Sequence, residues 1–352
     1  MKNANSIWKR IPSLLLALSI LSCATIPAPD ATPAGALAHM KQVGNPVDPI
    51  RSNMLQYMQS VAHSKDPADL EQKRRNLVNS VGQAIQTVRA TSPYKADNRY
   101  RQSTLELLET MYAILTEDYG RLVDLKKIAE QSYDTMEAYM EARRQANEKL
   151  EEAGDDAAKV EEQFAKDYNI NLISKEDELG RKLKLASAAM GHQSDLFLIY
   201  FKPYKQEVYL IEALDRNDIS GIEQNRESLK EYAREGQTKL AEIAPHRGDD
   251  SLLRATRALL DFYEYEAEKT AIFVDLALKK DRLERAKRSI DSTDPANRTT
   301  EQVHSFNRLV TEYNNLVNQA NAVNSELNQK RKGLTDQWNN TSDSFLARHV
   351  PK

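Results

Sequence analysis

From residue 94 to residue 202 this chain has no proline, and no other feature limits its fold so strongly. Proline inside a helix removes a hydrogen bond and clashes with the preceding turn, so its absence permits long helices. Gly is also scarce, 11 in 352 residues, and an all-β chain would need turn signals every 8–12 residues. The periodicity agrees. Leu105, Leu108, Tyr112, Leu115, Tyr119, Leu122, Ala129, Tyr133, Met136, Met140 and Leu150 form one three–four ladder, interrupted by Lys126, Arg143 and Asn147. A second ladder runs Val303, Phe306, Val310, Tyr313, Val317, Ala320, Leu327, Leu334, Trp338 and Phe345; Leu309, Leu316 and Val323 widen it, and Asn324 and Arg331 interrupt it. Stripes wider than a bare coiled-coil seam belong to helices of a bundle.

The expected fold is therefore all-α: an elongated bundle of long antiparallel helices, near 50–64, 67–91, 97–153, 156–168, 174–215, 218–244, 249–290 and 298–347. Asp66-Pro67 reads as an N-cap followed by a first-turn proline, Ser174 with Asp177 as a capping box, and Pro203 should kink the fifth helix. The body also looks duplicated at an offset of 152: Tyr57 matches Tyr209, Glu71-Gln72 matches Glu223-Gln224, Leu77 matches Leu229, and Leu107-Leu108 matches Leu259-Leu260. A one-residue deletion then aligns Tyr112 with Tyr263. Two similar halves, 50–170 and 171–352, are expected.

The N-terminus reads as an address. Lys2, Lys9 and Arg10 precede an apolar stretch, Ile11 to Leu21, that is too short for a spanning helix and has the layout of a secretory signal over residues 1–22. Ile20-Leu21-Ser22-Cys23 resembles the lipobox of bacterial lipoproteins, which implies acylation of Cys23 with palmitate-type chains and its exposure as the new N-terminus. By the same resemblance Ala24, not being Asp, favours the outer membrane, facing the periplasm or the cell surface. Residues 23–49 carry Pro27, Pro29, Pro33, Pro46 and Pro49 among Ala and Thr, and are expected to be a tether of extended chain.

Several chemistries are excluded or unsupported. Cys23 is the only cysteine, so an intrachain disulfide or a Cys-built zinc site is ruled out. The net charge of −3 becomes −6 once Lys2, Lys9 and Arg10 are lost, which gives no reason to gather nucleic acid. No nucleophile elbow or phosphate loop is present. Glu301-x-x-His304 lacks the second such pair that a di-iron bundle requires. Gly191-His192-x-x-Asp195 loosely resembles the G-x-H-x-x-E element of imelysin-type helical proteins, with Asp for Glu and no spacer. Carboxylate runs such as Glu161-Glu162 and Glu176-Asp177-Glu178 read as solvated faces. No metal, cofactor or catalytic residue is expected. The one candidate ligand pocket is aromatic, Tyr200, Phe201 and Tyr204 around Pro203, with Phe262, Tyr263 and Tyr265 nearby. The last helix carries many uncharged amides, which read as the hydrophilic face of a long helix and would also suit glycan hydroxyls or a partner helix.

Lipobox, tether and helical body together resemble the uncharacterised helical surface lipoproteins of leptospires and other Gram-negative-type bacteria, with Phe164–Ile170 and Phe345–Pro351 as the most family-like stretches. That resemblance implies location and fold but no catalytic residue. The expectation is a non-enzymatic envelope lipoprotein, bound to the membrane through its lipid and meeting an unidentified envelope or extracellular protein or glycan. The alternative is a small-molecule or metal-binding helical lipoprotein.

Overall fold

The structure is a computed structural model and describes residues 31–64, 66–95, 97–122, 133–172 and 178–352. It is all-α. The helices are α1 Ala31–Gly44, α2 Asp48–His63, α3 Pro67–Ala90, α4 Arg99–Leu122, α5 Tyr133–Asp167, α6 Glu178–Asp215, α7 Ile219–Ala241, α8 Ser251–Lys269, α9 Ala271–Asp291 and α10 Thr300–His349, with short 3-10 turns at Asn45–Val47 and Pro295–Asn297. Among the described residues the only β pairings are the isolated bridges Tyr94–Asp97 and His246–Asp249. Ile20, Leu21, Ser22 and Cys23, and the Ser174–Asp177 cap, lie outside the described residues.

The tether expected over 23–49 is corrected from residue 31 onward. Ala36, Met40, Val43, Val47, Ile50 and Met54 are all buried, and their alternating four–three spacing is a continuous helical ladder through the proline-bearing segment. Each proline opens an element. Pro33 lies in the first turn of α1, Pro46 is the second residue of the 3-10 turn, and Pro49 stands in the first turn of α2. There the missing N–H has no helical partner to lose.

Two further boundaries and one core position differ from expectation. Gly154 stays inside α5, because one glycine costs only about 1 kcal/mol in a run of good helix formers. The single helix expected over 249–290 breaks at Thr270, where ψ is −9° and the hydroxyl donates to the Glu266 carbonyl at 2.8 Å; such back-bonding bends helices. Tyr112, placed on a core ladder by its spacing, is 39% exposed.

The chain divides into two compact units. One comprises the described residues up to Ser194 together with Ser342–Lys352; the other is Asp195–Thr341. This division does not follow the 170/171 boundary, since α6 and α10 are long enough for each to contribute to both units. In the first unit α2, α3 and α4 pack in succession, α4 lies against α5, and α1 lies against α3 and α4. The chain's last residues are tied in: Gln59 Nε2 donates to the Pro351 carbonyl at 3.1 Å, and His63 Nε2 lies 3.1 Å from that of Val350. In the second unit α7 packs against α8 and α9.

Local geometry repeats at the offset of 152. Asp66 and Asp218 cap α3 and α7, accepting from Ala68 N and Gly221 N. Lys95 and Arg247 both take left-handed backbone, with φ of 48° and 52°. Asp97 and Asp249 accept from Arg99 N and Ser251 N at 3.0 and 2.9 Å. Thr104 and Thr256 are buried, each donating to the carbonyl four residues back at 2.9 Å. Buried pairs follow the same offset: Leu77 with Leu229, Val88 with Leu240, Leu108 with Leu260, Met111 with Tyr263, and Leu115 with Ala267. The deletion expected after Leu108 is not needed, because Met111 rather than exposed Tyr112 is the buried counterpart of Tyr263.

Candidate functional site

A buried ionic centre lies in the second unit, where α6, α8 and α10 each contribute one long side chain. Arg331 interrupts the ladder of α10 at a core position. Its Nε donates to Glu207 Oε1 of α6 at 2.6 Å, and another of its nitrogens donates to Glu266 Oε1 of α8. The side chains of Glu207 and Glu266 are 3% and 1% exposed, while that of Arg331 keeps 24%. Asn328, one turn earlier on α10, accepts a third guanidinium hydrogen bond.

Two buried carboxylates facing one guanidinium would leave a net negative charge in the core. Burial, followed by the field of Glu207 and a hydrogen bond with it, pushes the Glu266 carboxyl far above the usual range. Glu266 is therefore protonated at neutral pH, and the pair shares one proton, which leaves the centre neutral. Glu266 Oε2 is buried without a hydrogen-bond partner, which costs a neutral acid less than an ionised carboxylate. Burial, and after it the field of Glu207, raise the Tyr263 hydroxyl well above its ordinary value, so it too stays neutral.

Around this centre the aromatic residues close up. Tyr200 and Phe201 are buried; Tyr200 lies 4.6 Å from the Trp338 ring, Phe197 lies 5.3 Å from Phe201, and Phe201 lies 6.0 Å from Tyr204. Trp338 Nε1 donates to Thr256 Oγ1 at 3.0 Å. The three residues of the sequence-derived pocket are thus brought together, packed ring against ring. Pro203 stands inside α6 and can give no hydrogen bond to the Ile199 carbonyl. Gly236 of α7 comes close there: an added Cβ would meet Leu260 at 2.7 Å and the Ile199 carbonyl at 3.3 Å.

The first unit has its own polar-aromatic cluster. Phe164 packs against Tyr168, Tyr100 and His39 at 4.6, 5.7 and 5.8 Å, and Tyr94 lies 5.0 Å from Tyr168. Arg99 bridges Asp97 and Asp167 at 2.7 and 2.8 Å, which holds both carboxyls below their usual range. His39 is buried with Nε2 unpartnered, and burial lowers its pKa, so the ring is neutral. Glu161, expected on a solvated face, is 5% exposed and is pushed up to about 7 by burial, against a hydrogen bond with Tyr100.

The other sequence candidates are placed plainly. His192 packs against Phe345 at 5.5 Å. Glu301 and His304 are exposed at the start of α10. Among the described residues no group of three or more His, Cys, Asp or Glu is arranged to hold a metal ion, and no helix is long and apolar enough to cross a membrane. No family model, curated protein or solved structure matches the chain. Sequence reasoning missed Glu207, Glu266 and Arg331 as a group. Their signal was spacing: Glu207 stands three residues before buried Leu210 and seven after Tyr200, Glu266 three after Tyr263, and Arg331 four after Leu327, each on a ladder of core positions.

Proposed function

We propose that this chain is a lipid-anchored helical protein of a bacterial envelope, held to the outer membrane through Cys23 and acting as a non-enzymatic interaction or structural module. The observation that carries the reading is Ile20-Leu21-Ser22-Cys23 behind a basic and then an apolar segment, with Cys23 the only cysteine. Several acyl chains give stable anchoring at about 0.8 kcal/mol per buried methylene, so the folded part needs no membrane-seeking face. The absence of a spanning helix among the described residues is compatible with an anchor made of lipid. α1 starts at Ala31, eight residues beyond Cys23, a stretch that reaches at most about 28 Å.

The buried centre supports a structural role better than a catalytic one. The guanidinium charge is balanced by the single negative charge that the two proton-sharing carboxyls carry, and Glu207 and Glu266 are sealed from solvent. Metabolic labelling with a clickable palmitate analogue tests the anchor: label is expected on the wild-type chain and lost in Cys23→Ala. A Cys23→Ala chain that stays membrane-bound after a carbonate wash would overturn it.

A further inference from the structure

We propose that α1 is a detachable strap, released from the rest of the first unit when His39 takes up a proton in mild acid. α1 is lightly held. Of its described side chains only Ala36, His39, Met40 and Val43 are buried, and Gly35 inside the helix weakens it relative to alanine. Gly35 and Gly44 instead make room for rings: a Cβ on Gly35 would meet the Tyr94 hydroxyl at 3.0 Å, and one on Gly44 the Tyr100 hydroxyl at 3.1 Å. A hinge follows, because Gly44-Asn45-Pro46 breaks the helix ahead of α2. At the offset of 152 the same positions are Leu196-Phe197-Leu198, inside the unbroken α6. The break is therefore particular to the first copy of the repeat.

His39 sits where this strap meets its seat. Its ring stacks on Tyr94 of the α3–α4 loop and lies against Phe164 of α5, both at 5.8 Å, and Nε2 is buried without a partner. An imidazolium donates from both nitrogens, so a proton taken up here leaves a buried charge with an unpaired N–H. The surrounding charges do not relieve it. Asp97 of the loop favours the cation, but its carboxylate is engaged by Arg99 and Tyr168, and Arg101 of α4 opposes the cation. On α5, Asp167 is held by Arg99, Glu161 hydrogen-bonds with Tyr100, and the Tyr168 hydroxyl stays neutral. The last turn of α3 carries Arg89, paired with Glu109, and on α1 itself Lys41 is exposed.

Burial lowers the His39 pKa while α1 is docked, whereas a released α1 returns the ring to water and its ordinary value of 6.5. The contribution of His39 to docking is therefore complete above pH 6.5 and is lost as pH falls below it. Between pH 7.5 and 5.5 the released form gains about tenfold relative to the docked form, whose ring stays neutral. The consequence for reach rests on the lipid anchor proposed above: release frees the 14 residues of α1, which add up to about 50 Å of extended chain between anchor and body.

Hydrogen exchange followed by mass spectrometry, at pH 7.5 and 5.5 with intrinsic rates corrected, tests the release on the full chain carrying Cys23→Ala, so the result is independent of the anchor. Peptides of α1 should lose protection about tenfold at pH 5.5, while those of α3 and α4 keep theirs within about twofold. His39→Gln removes the titrating group and should leave α1 equally protected at both pH values. His39→Phe repeats the test with a ring kept against Tyr94 and Phe164, and circular dichroism checks that both variants stay helical. Glu161→Gln removes the nearby group that titrates in the opposite sense and should leave the response of α1 in place. Unchanged α1 protection in the wild-type chain, a response that survives both His39 variants, or loss of protection by α1, α3 and α4 together overturns the proposal.

Discussion

Replacing Arg331 with Met tests whether the buried centre is a clamp. The guanidinium is the only cation bonded to Glu207 and Glu266 among the described residues, and it joins α10 to α6 and α8. Removing one partner from a buried ionic group costs roughly 3–5 kcal/mol, because a charge is left uncompensated. Here the lower end applies. The proton shared by the two carboxyls leaves one negative charge rather than two, and the 24% exposure of Arg331 lets water reach that side. The expected loss is about 3 kcal/mol, more than a hundredfold in the folding equilibrium. The triple variant Glu207→Leu/Glu266→Ile/Arg331→Met should instead be neutral or stabilising by about 1–4 kcal/mol. The residues for that swap come from the chain itself. At the same offset of 152, Leu55 and Ile114 stand where the second unit has Glu207 and Glu266, and both are buried. Urea unfolding at pH 7, followed by tryptophan fluorescence, reads the second unit alone. The chain has two tryptophans; Trp338 is buried in that unit, and Trp8 falls in the signal segment. A loss under 1 kcal/mol for Arg331→Met, or a triple variant as unstable as the single one, would refute the argument.

Two further outcomes follow from the same structure. Glu161, with its carboxyl pushed up to about 7, keeps its proton in the folded state at pH values where the unfolded chain has released it. Its contribution is full below the ordinary pKa near 4.5 and is lost as pH rises to about 7, a fall of about 3 kcal/mol. Glu161→Gln should flatten that slope between pH 5 and 8, and an unchanged difference between urea midpoints at those two pH values would count against it. Gly236→Ala should cost about 1–3 kcal/mol, because the new methyl collides with Leu260 beside the Ile199 carbonyl. A thermal melt within a degree of wild type would mean that α7 can shift away from α6 at no cost.

The helical class was legible because it rests on many positions at once. The ladders of α4, α5 and α10 survive a misplaced member such as Tyr112, whose ring lies over Gly82 instead of in the core. What was not legible had two physical sources. The first is proline, whose meaning depends on position. Pro33, Pro46 and Pro49 look like a tether by composition, yet a proline in a first turn is compatible with a helix. The Ala36-Met40-Val43-Val47-Ile50-Met54 spacing was the signal that outweighed composition. The second is charge at a core position. Glu161 beside Glu162 has the same sequence signature as any solvated pair, and only its burial and its hydrogen bond with Tyr100 distinguish the two.

Arg331 shows how the internal repeat narrows that gap. A polar residue in a core ladder has a partner, a ligand or a turn as its reason, and the ladder alone does not choose among them. Comparison within the chain does. Where one copy has Leu55 and Ile114 and the other has Glu207 and Glu266, the helical scaffold demonstrably packs without the carboxyls, so their presence answers to Arg331 and to the register of α10. A single buried polar group is a recognised way to fix which turn of a helix faces which neighbour. For α10 the need is plain. Its heptad-like ladder would accept a shift of seven residues, with Leu334 in the place of Leu327 and Leu327 in that of Ala320, but such a slide would carry Arg331 away from both carboxyls. The centre therefore sets the register of α10 more than it adds stability. If so, the Leu/Ile/Met triple variant should keep its helicity and its stability while Trp338 loses its single environment, seen as a broadened emission band and a loss of protection by Thr256 against solvent quenchers.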